Sequence, residues 1–356
     1  VHFQRRFYEN LIKTRPDLAE RVIVENPEDK KENNLKQKLL NGNIHYMKEH
    51  GGRTVRTRIR STIKAKKEFE EVGRKVRVHL PIPKVYEQVS NVEIHASNPE
   101  ITYMAHADAP QRTVYFETEL KKNQEFMVDY SFDYHVDYVE LDPAKVSEEQ
   151  PNFCLEEQAP HIVFTPYLKE LRDELAGDET NPIILARRFY DFVTTKVMYS
   201  FMREYFTIEC IPEYCAINLK GDCGVQALLF ITLCRMSGIP ARWQSGLYVT
   251  KYYTGCHDWA QFYVAPYGWV FADPSFGGSA WREGDKVRWN YYFGNLDIFR
   301  MPANSEIQKE FMPEKKWLRI DPIDNQRGEF EYEDHGLRFS QLEVSQELIS
   351  MEDIEK

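Results

Sequence analysis

The sequence lacks an apolar run of 18 residues, the length that a membrane-spanning helix requires. Its most apolar stretch, residues 227–233, is short and is typical of a buried core. Internal repeats, low-complexity segments and densely spaced cysteines are also missing. These absences argue against a fibrous, disordered or disulfide-stapled chain, and we expect no membrane partner.

The composition is that of a globular protein, with 42% hydrophobic and 29% charged residues in a chain of 356. This length favours two or three domains over one core. The net charge of −10 argues against nucleic acid as a partner. The charge is uneven, because residues 1–84 hold 21 Lys and Arg against 11 Asp and Glu. These basic residues alternate with Thr, Ile and Val without interleaved aromatics, so we expect attraction between two parts of the chain rather than a nucleic-acid surface.

The six cysteines, at positions 154, 210, 215, 223, 234 and 256, show no regular pairing pattern. We therefore expect reduced thiols and a cytoplasmic protein. The first residues contain no apolar signal segment, and a trimmed secreted precursor is the alternative. One reduced thiol then becomes a candidate nucleophile.

Changes in residue pattern divide the chain into four segments. Residues 1–53 carry a weak apolar stripe, broken by Asn33-Asn34 and Asn41-Gly42-Asn43, which predicts a helical N-terminal arm of short helices. Residues 54–142 alternate with period two and predict an antiparallel β-sandwich. After an acidic linker, residues 160–310 mix helical and strand patterns, and residues 311–356 form a C-terminal extension.

The strongest chemical signal is Gly221-Asp222-Cys223-Gly224, at the start of a predicted helix. Asp222 is a suitable N-cap, so Cys223 falls in the first turn. There the free N–H groups and the helix dipole lower the pKa of a thiol. The Asp222 carboxylate opposes this effect unless it is engaged in the cap. Buried residues at helical spacing would hold the sulfur rigidly. They are Ala227, Phe230, Ile231 and Cys234.

A thiolate that attacks an amide needs a partner that keeps it ionised and protonates the leaving amine, and histidine suits both tasks. His257 begins a predicted strand whose alternation puts His257 and Trp259 on one face and Asp258 on the other. Asp273 ends the next strand and is a candidate to orient the imidazole. A hairpin with a two-residue turn would pair Ala260 with Asp273, so contact with His257 requires a shifted register.

Together these stretches resemble the core of the transglutaminase-like superfamily. The resembling segments are Gly-Asp-Cys-Gly at 221–224, Leu-Cys-Arg-Met-Ser-Gly-Ile-Pro-Ala-Arg at 233–242, Gly-Cys-His-Asp-Trp-Ala-Gln-Phe-Tyr at 255–263 and Trp-Val-Phe-Ala-Asp-Pro-Ser at 269–275. The resemblance implies an α+β fold in which the β-sandwich and the helical arm precede a papain-like transglutaminase core at residues 160–310. It also implies that Cys223 is the nucleophile, His257 the base and acid, and Asp273 the orienting group.

Bacterial members of this superfamily are mostly regarded as cysteine peptidases rather than cross-linking enzymes. The resemblance therefore implies a cysteine peptidase or amidase that hydrolyses a peptide, protein or related amide through a thioester. Amine transfer by a transglutaminase and a non-catalytic binding module are the alternatives.

Two features of the cross-linking enzymes have no counterpart here. No Trp precedes Trp243 to stabilise an oxyanion, and no acidic calcium site is evident. Tyr199 is the candidate second oxyanion donor. We expect activity without a metal or another cofactor.

Three further patterns have ordinary explanations. Four cysteines and a histidine could ligate zinc, but they lack the paired C-x2-C spacing of structural zinc sites. These residues are Cys210, Cys215, Cys223, Cys256 and His257. Trp259 shares a predicted face with His257, which makes it the candidate for the substrate cleft, where it would shield the catalytic pair from water. Residues 321–329 form a turn-rich acidic segment that could cover the core or hold a cation.

Overall fold

The computed structural model describes residues 15–21 and 27–354, which contain α-helices, short 3-10 turns and strands. The helices are α1 (Pro27–His50), α2 (Pro166–Ala176), α3 (Pro182–Lys196), α4 (Ile211–Asn218), α5 (Cys223–Met236), α6 (Pro274–Arg282) and α7 (Lys286–Tyr291). The strands are β1 (Gly52–Ala65), β2 (Lys75–Pro81), β3 (Val89–Asn98), β4 (Tyr103–Met104), β5 (Thr113–Glu119), β6 (Phe126–Asp137), β7 (Met198–Tyr199), β8 (Lys220–Gly221), β9 (Ala241–Thr250), β10 (Tyr253–Val264), β11 (Gly268–Ala272), β12 (Phe293–Gly294), β13 (Arg300–Asn304), β14 (Glu329–Tyr332) and β15 (Leu342–Asp353). The 3-10 turns are Pro16–Arg21, Lys67–Phe69, Pro143–Lys145, Tyr205–Thr207 and Phe339–Gln341.

The chain forms two compact units. The helical unit contains the described residues up to Gly51, together with Tyr138–Trp243 and Asp258–Asp297. The sandwich unit contains Gly52–Asp137, Gln244–His257 and the described residues from Ile298 onward. Strands β9 and β10 are divided between the two units because the unit boundaries fall within them.

The sandwich unit contains two four-stranded antiparallel sheets. Their strand orders are β15-β1-β6-β3 and β14-β2-β5-β4. Val55, Ile59 and Ile63 of β1 are at most 1% exposed, because every second residue of this strand faces the core. Between the sheets, the ring of Phe126 lies 5.6 Å from the rings of both Phe116 and Phe330. The predicted antiparallel sandwich is confirmed.

Strands from the predicted C-terminal extension belong to these two sheets. β14 pairs with β2, and β15 pairs with β1 from Val55 opposite Asp353 to Ala65 opposite Leu342. The sequence division at residue 311 followed a change of residue pattern along the chain. In three dimensions, residues on both sides of the 160–310 segment complete the same sheets.

The helical arm contains one long helix where short helices were expected. α1 runs without interruption through Asn41 and Gly42, so the predicted breaks are wrong. Leu40, Ile44 and Met47 are buried at a spacing of three to four residues. This packing offsets the roughly 1 kcal/mol that a glycine costs inside a helix. The parts of the arm at residues 1–14 and 22–26 lie outside the described residues.

The helical unit is organised around α5. Residues 223–235 of this helix are all buried. The ring of Phe230 packs edge-on against Phe262 of β10, with 5.7 Å between the ring centroids. Within this unit, residues 260–264 of β10 pair with β11, and β11 pairs with β12. The expected α+β class is confirmed.

Candidate active site

Cys223 is the first residue of α5, as the sequence predicted. The side chain of Asp222 accepts a hydrogen bond from the Val225 N–H at 3.3 Å and so caps the helix. This cap satisfies one of the N–H groups that a helix leaves free at its start. The predicted stripe of Ala227, Phe230, Ile231 and Cys234 is fully buried. Cys223 therefore begins a helix that is anchored along its length.

A short parallel strand pair leads into this helix. Tyr199 of β7 lies opposite Gly221 of β8, two residues before Cys223. The Ser200 N–H donates to the Gly221 carbonyl at 3.2 Å. Position 221 requires glycine, because a Cβ atom there would clash with the Cγ1 atom of Val225. The backbone of Tyr199 is thus held beside the approach to the cysteine.

The thiol of Cys223 contacts a carboxylate that the sequence analysis did not assign to the site. Its Sγ donates to Oδ2 of Asp258 at 3.1 Å. The hydroxyl of Tyr205 donates to Oδ1 of Asp222 nearby. A Cβ atom at Gly224 would clash with this hydroxyl and would lie 2.8 Å from Oδ2 of Asp258. A glycine at position 224 therefore lets Tyr205 and Asp258 approach the start of the helix.

Strand alternation contains the signal that would have identified Asp258. The sequence placed Asp258 on the same face of its strand as Ala260 and Phe262. In the structure, Phe262 packs against Phe230 of α5. Asp258 continues that face toward the first residue of α5, where Cys223 lies.

The thiol of Cys223 is a weaker acid than the sequence predicted. Burial raises its pKa well above the ordinary value, and the negative charges of Asp258 and Asp222 add to this effect. The sequence had predicted that the start of the helix lowers this pKa. The expectation was wrong because it did not include the second carboxylate or the depth of burial. In this arrangement the sulfur carries its proton.

Asp273 caps the next helix of the unit. Its Oδ1 accepts from the Phe276 N–H and from the Ser275 hydroxyl, both at 3.0 Å. Its side chain has no exposed surface. A buried carboxylate held by donors keeps a fixed orientation, as an orienting group requires.

The hairpin before Asp273 differs from the predicted register by one residue. Ala260 lies opposite Ala272, whereas the two-residue turn had predicted Asp273. Val264 pairs with Gly268, so the turn contains three residues. Trp259 of β10 is fully buried, and its assignment to the substrate cleft stays a prediction.

His257 lies in the part of β10 that belongs to the sandwich unit. It is 5% exposed, and its ring lies edge-on to Tyr248 at 6.4 Å between centroids. Its carbonyl accepts from Nε2 of Gln326 at 3.1 Å. Within the same unit, Nε of Arg327 donates to Sγ of Cys256 at 3.1 Å. The predicted turn-rich segment thus lies against residues 256 and 257.

The predicted site residues therefore occupy defined places. Cys223, Trp259 and Asp273 belong to the helical unit, together with the strand residue Tyr199. His257 belongs to the sandwich unit. The assignment of Cys223, His257 and Asp273 as a catalytic triad stays a prediction.

Other chemical features of the described residues are few. No group of three or more His, Cys, Asp or Glu in residues 15–21 and 27–354 is placed to hold a metal ion. All six cysteines lie among the described residues, and none of them forms a disulfide. No helix in the described part of the chain combines the length and hydropathy needed to cross a membrane. A cavity of about 650 Å³ in the helical unit is lined in part by Lys48, Arg187 and Tyr291, and Cys223 does not line it.

Comparisons with known proteins place these residues in a family. Residues 169–274 match the model of the transglutaminase-like superfamily, a range that includes Cys223, His257 and Asp273. No match was found among curated proteins.

Two solved structures are similar to this chain at low identity. A "Putative Cysteine Protease" from Cytophaga hutchinsonii is 13% identical, with a TM-score of 0.48 over 85% of this chain and 98% of the other. The periplasmic domain of TgpA from Pseudomonas aeruginosa is also 13% identical, with a TM-score of 0.36 over 70% of this chain and 96% of the other. These two likenesses carry no argument about activity. The family match, together with the cysteine at the start of α5, identifies residues 169–274 as a core of the transglutaminase-like superfamily.

Proposed function

We propose that this protein is a thiol-dependent acyl-transfer enzyme that hydrolyses a peptide, protein or related amide. The observation that carries the proposal is the family match over residues 169–274, which includes a cysteine at the first position of a buried, capped helix. The same range contains His257 and the buried, rigidly held Asp273. These are the residue types of a nucleophile, a base and an orienting group.

The proposed reaction has two steps. The proton of Cys223 passes to the imidazole of His257, and Sγ attacks the amide carbonyl carbon. The carbon–nitrogen bond then breaks, the amine leaves with the proton from His257, and a thioester remains. Water attacks the thioester, the acid is released and the thiol is restored. Asp273 orients the imidazole, and the Cys223 N–H and Tyr199 stabilise the oxyanion.

Turnover by matched variants tests this proposal. A peptide and amide library is incubated with wild type, Cys223→Ala, His257→Ala and Asp273→Asn, and products are read by mass spectrometry. We expect Cys223→Ala and His257→Ala to lose at least about 1,000-fold in kcat, and Asp273→Asn to lose a smaller factor. Cys210→Ala is the matched control. It removes the partly buried thiol of the residue at the N-cap position of α4 and should retain wild-type turnover.

Two other outcomes would replace the proposal. If a glutamine donor and a primary amine yield mostly the conjugate, the enzyme transfers acyl groups to amines instead of water. If Cys223→Ala retains every activity of the wild type, the chain is a binding module that has kept the fold.

A further inference from the structure

The thiol of Cys223 has a hydrogen-bond acceptor that the triad does not contain. Its Sγ donates to Oδ2 of Asp258 at 3.1 Å, and Cys223 is 8% exposed and Asp258 6% exposed. A carboxylate only accepts hydrogen bonds, so the proton of this bond belongs to the sulfur. If the sulfur lost that proton, two negative charges would stand 3.1 Å apart in a buried place.

The other ionisable groups around the thiol do not relieve this arrangement. Asp222, at the N-cap, accepts from the Val225 N–H and from the Tyr205 hydroxyl. Burial raises the pKa of Tyr205 well above its usual value, so this hydroxyl stays neutral. The negative charges of Asp258 and Asp222 oppose ionisation of the thiol, and a backbone hydrogen bond from Asp258 offsets only a smaller part of this effect. Cys215 of α4 is also buried. Burial raises its pKa, and the negative charge of Asp222 adds a smaller effect.

We propose that Asp258 is a positioning residue that stores Cys223 as a neutral thiol until this hydrogen bond is broken. This inference rests on the proposed role of Cys223 as a nucleophile. The thiolate is the form that reacts with electrophiles and oxidants, so storage as the thiol protects the residue. A substrate that displaces the Asp258 carboxylate removes the opposing charge, and the proton can then pass to the base.

Alkylation of each cysteine across pH tests this inference. Iodoacetamide rates are measured from pH 6 to pH 10 by mass spectrometry after digestion. Wild-type Cys223 should react with an apparent pKa above the free-thiol value of about 8.5. Asp258→Asn should react at least about tenfold faster at pH 7.5, which corresponds to one unit of pKa. Asp258→Glu should retain the slow wild-type profile, and so should Asp191→Asn, which changes a partly buried carboxylate in α3.

Three results would overturn the inference. The first is an alkylation profile of Cys223 in Asp258→Asn that coincides with the wild-type profile. The second is slower alkylation of Cys223 in Asp258→Asn, which would make Asp258 a base. The third is an apparent pKa of wild-type Cys223 below about 8.5. The buried thiols of Cys215 and Cys234 report on folding, because both should stay unreactive in every variant. If Asp258→Asn opens the structure, the inference is judged on the wild-type and Asp258→Glu alkylation profiles, both of which should show slow alkylation of Cys223.

Failure of this inference is distinguishable from failure of the proposed function. Loss of turnover in Cys223→Ala with no alkylation effect of Asp258→Asn overturns only the storage role. Faster alkylation in Asp258→Asn with turnover unaffected by Cys223→Ala overturns only the enzymatic role.

Discussion

Burial changes the protonation of two side chains in the sandwich unit. In the sandwich unit, burial lowers the pKa of His79 to about 3, and the charges of Arg319 and Lys315 add to this effect. Burial and, second to it, the neighbouring Asp324 carboxylate raise the pKa of Asp321 to about 8. Each shift makes the stability of the protein depend on pH, and the two act in opposite directions.

His79 should make the sandwich unit sensitive to acid. Its folded-state pKa lies below the unfolded value, so its stabilising contribution is present above about pH 6.5 and is lost as the pH falls toward 3. The free energy of unfolding should fall by about 1 kcal/mol per pH unit in this window. His79→Gln should weaken this dependence, as measured by urea unfolding from pH 4.5 to pH 7. His45→Gln, which changes an exposed histidine of α1, should keep the wild-type slope.

Asp321 should act in the opposite direction. Its folded-state pKa lies above the unfolded value, so its stabilising contribution is present below about pH 4 and is lost as the pH rises to about 8. Because Asp321 is partly buried, we expect a loss of up to about 1 kcal/mol per pH unit from this group. Asp321→Asn should flatten the decline between pH 6 and pH 8 in thermal unfolding. An unchanged slope in this variant would contradict the assignment.

At the scale of elements, two glycines in helices have opposite roles. Gly42 lies within α1, and a Cβ atom there would meet nothing within 4 Å. Gly224 lies at the start of α5, and a Cβ atom there would lie 2.8 Å from Oδ2 of Asp258 and 3.0 Å from Cη2 of Trp243. Helix propensity alone predicts that alanine stabilises both positions. Packing reverses the sign at Gly224.

This pair predicts opposite effects of the same substitution. Gly42→Ala should raise the free energy of unfolding by about 0.5–1 kcal/mol. Gly224→Ala should lower it by about 1–3 kcal/mol and accelerate alkylation of Cys223, because the new methyl group forces Asp258 away from the thiol. Chemical unfolding and iodoacetamide alkylation measure the two effects. Equal stabilisation by both substitutions would show that the start of α5 is looser than described.

The basic residues of β1 are engaged by neighbouring strands of the same sheet. Arg58 and Arg60 both contact the buried carboxylate of Asp129, at 2.7 Å and 2.9 Å. Arg53 pairs with Asp353 of β15 at 2.6 Å. These ion pairs join basic residues of the segment 1–84 to acidic residues outside it. They are an instance of the attraction between parts of the chain that the uneven charge predicted.

At the scale of the whole molecule, local patterns were predicted better than long-range pairings. The Asp222 cap and the start of α5 at Cys223 follow from residues that are adjacent in sequence. The contact between Cys223 and Asp258 joins residues 35 positions apart and depends on how a sheet packs on a helix. α1 passes through Gly42 because packing of its buried face compensates the cost of a glycine inside a helix. That cost can be read from the sequence, whereas the packing depends on the three-dimensional structure.

The pairing of β1 with β15 predicts the effect of a C-terminal truncation. Removal of residues 342–356 exposes the edge of β1, where Ile59 and Ile63 are fully buried. We expect a lower unfolding temperature of the sandwich unit and greater aggregation, because an open strand edge pairs with other chains. Hydrogen exchange at β1 and light scattering measure both effects. Removal of residues 355–356 alone serves as the control and should change neither.

The same strand pairing sets an order of events during synthesis. Val55 of β1 pairs with Asp353 of β15, and residues 138–297, which contain most of the helical unit, are translated between them. At roughly 5–20 residues per second, β1 waits on the order of 15–60 s for this partner to be made. Its other neighbour, β6, is available much earlier. From the synthesis of β1 until residues 342–353 have been made, a nascent chain therefore displays an unfinished sheet edge, which β15 then closes.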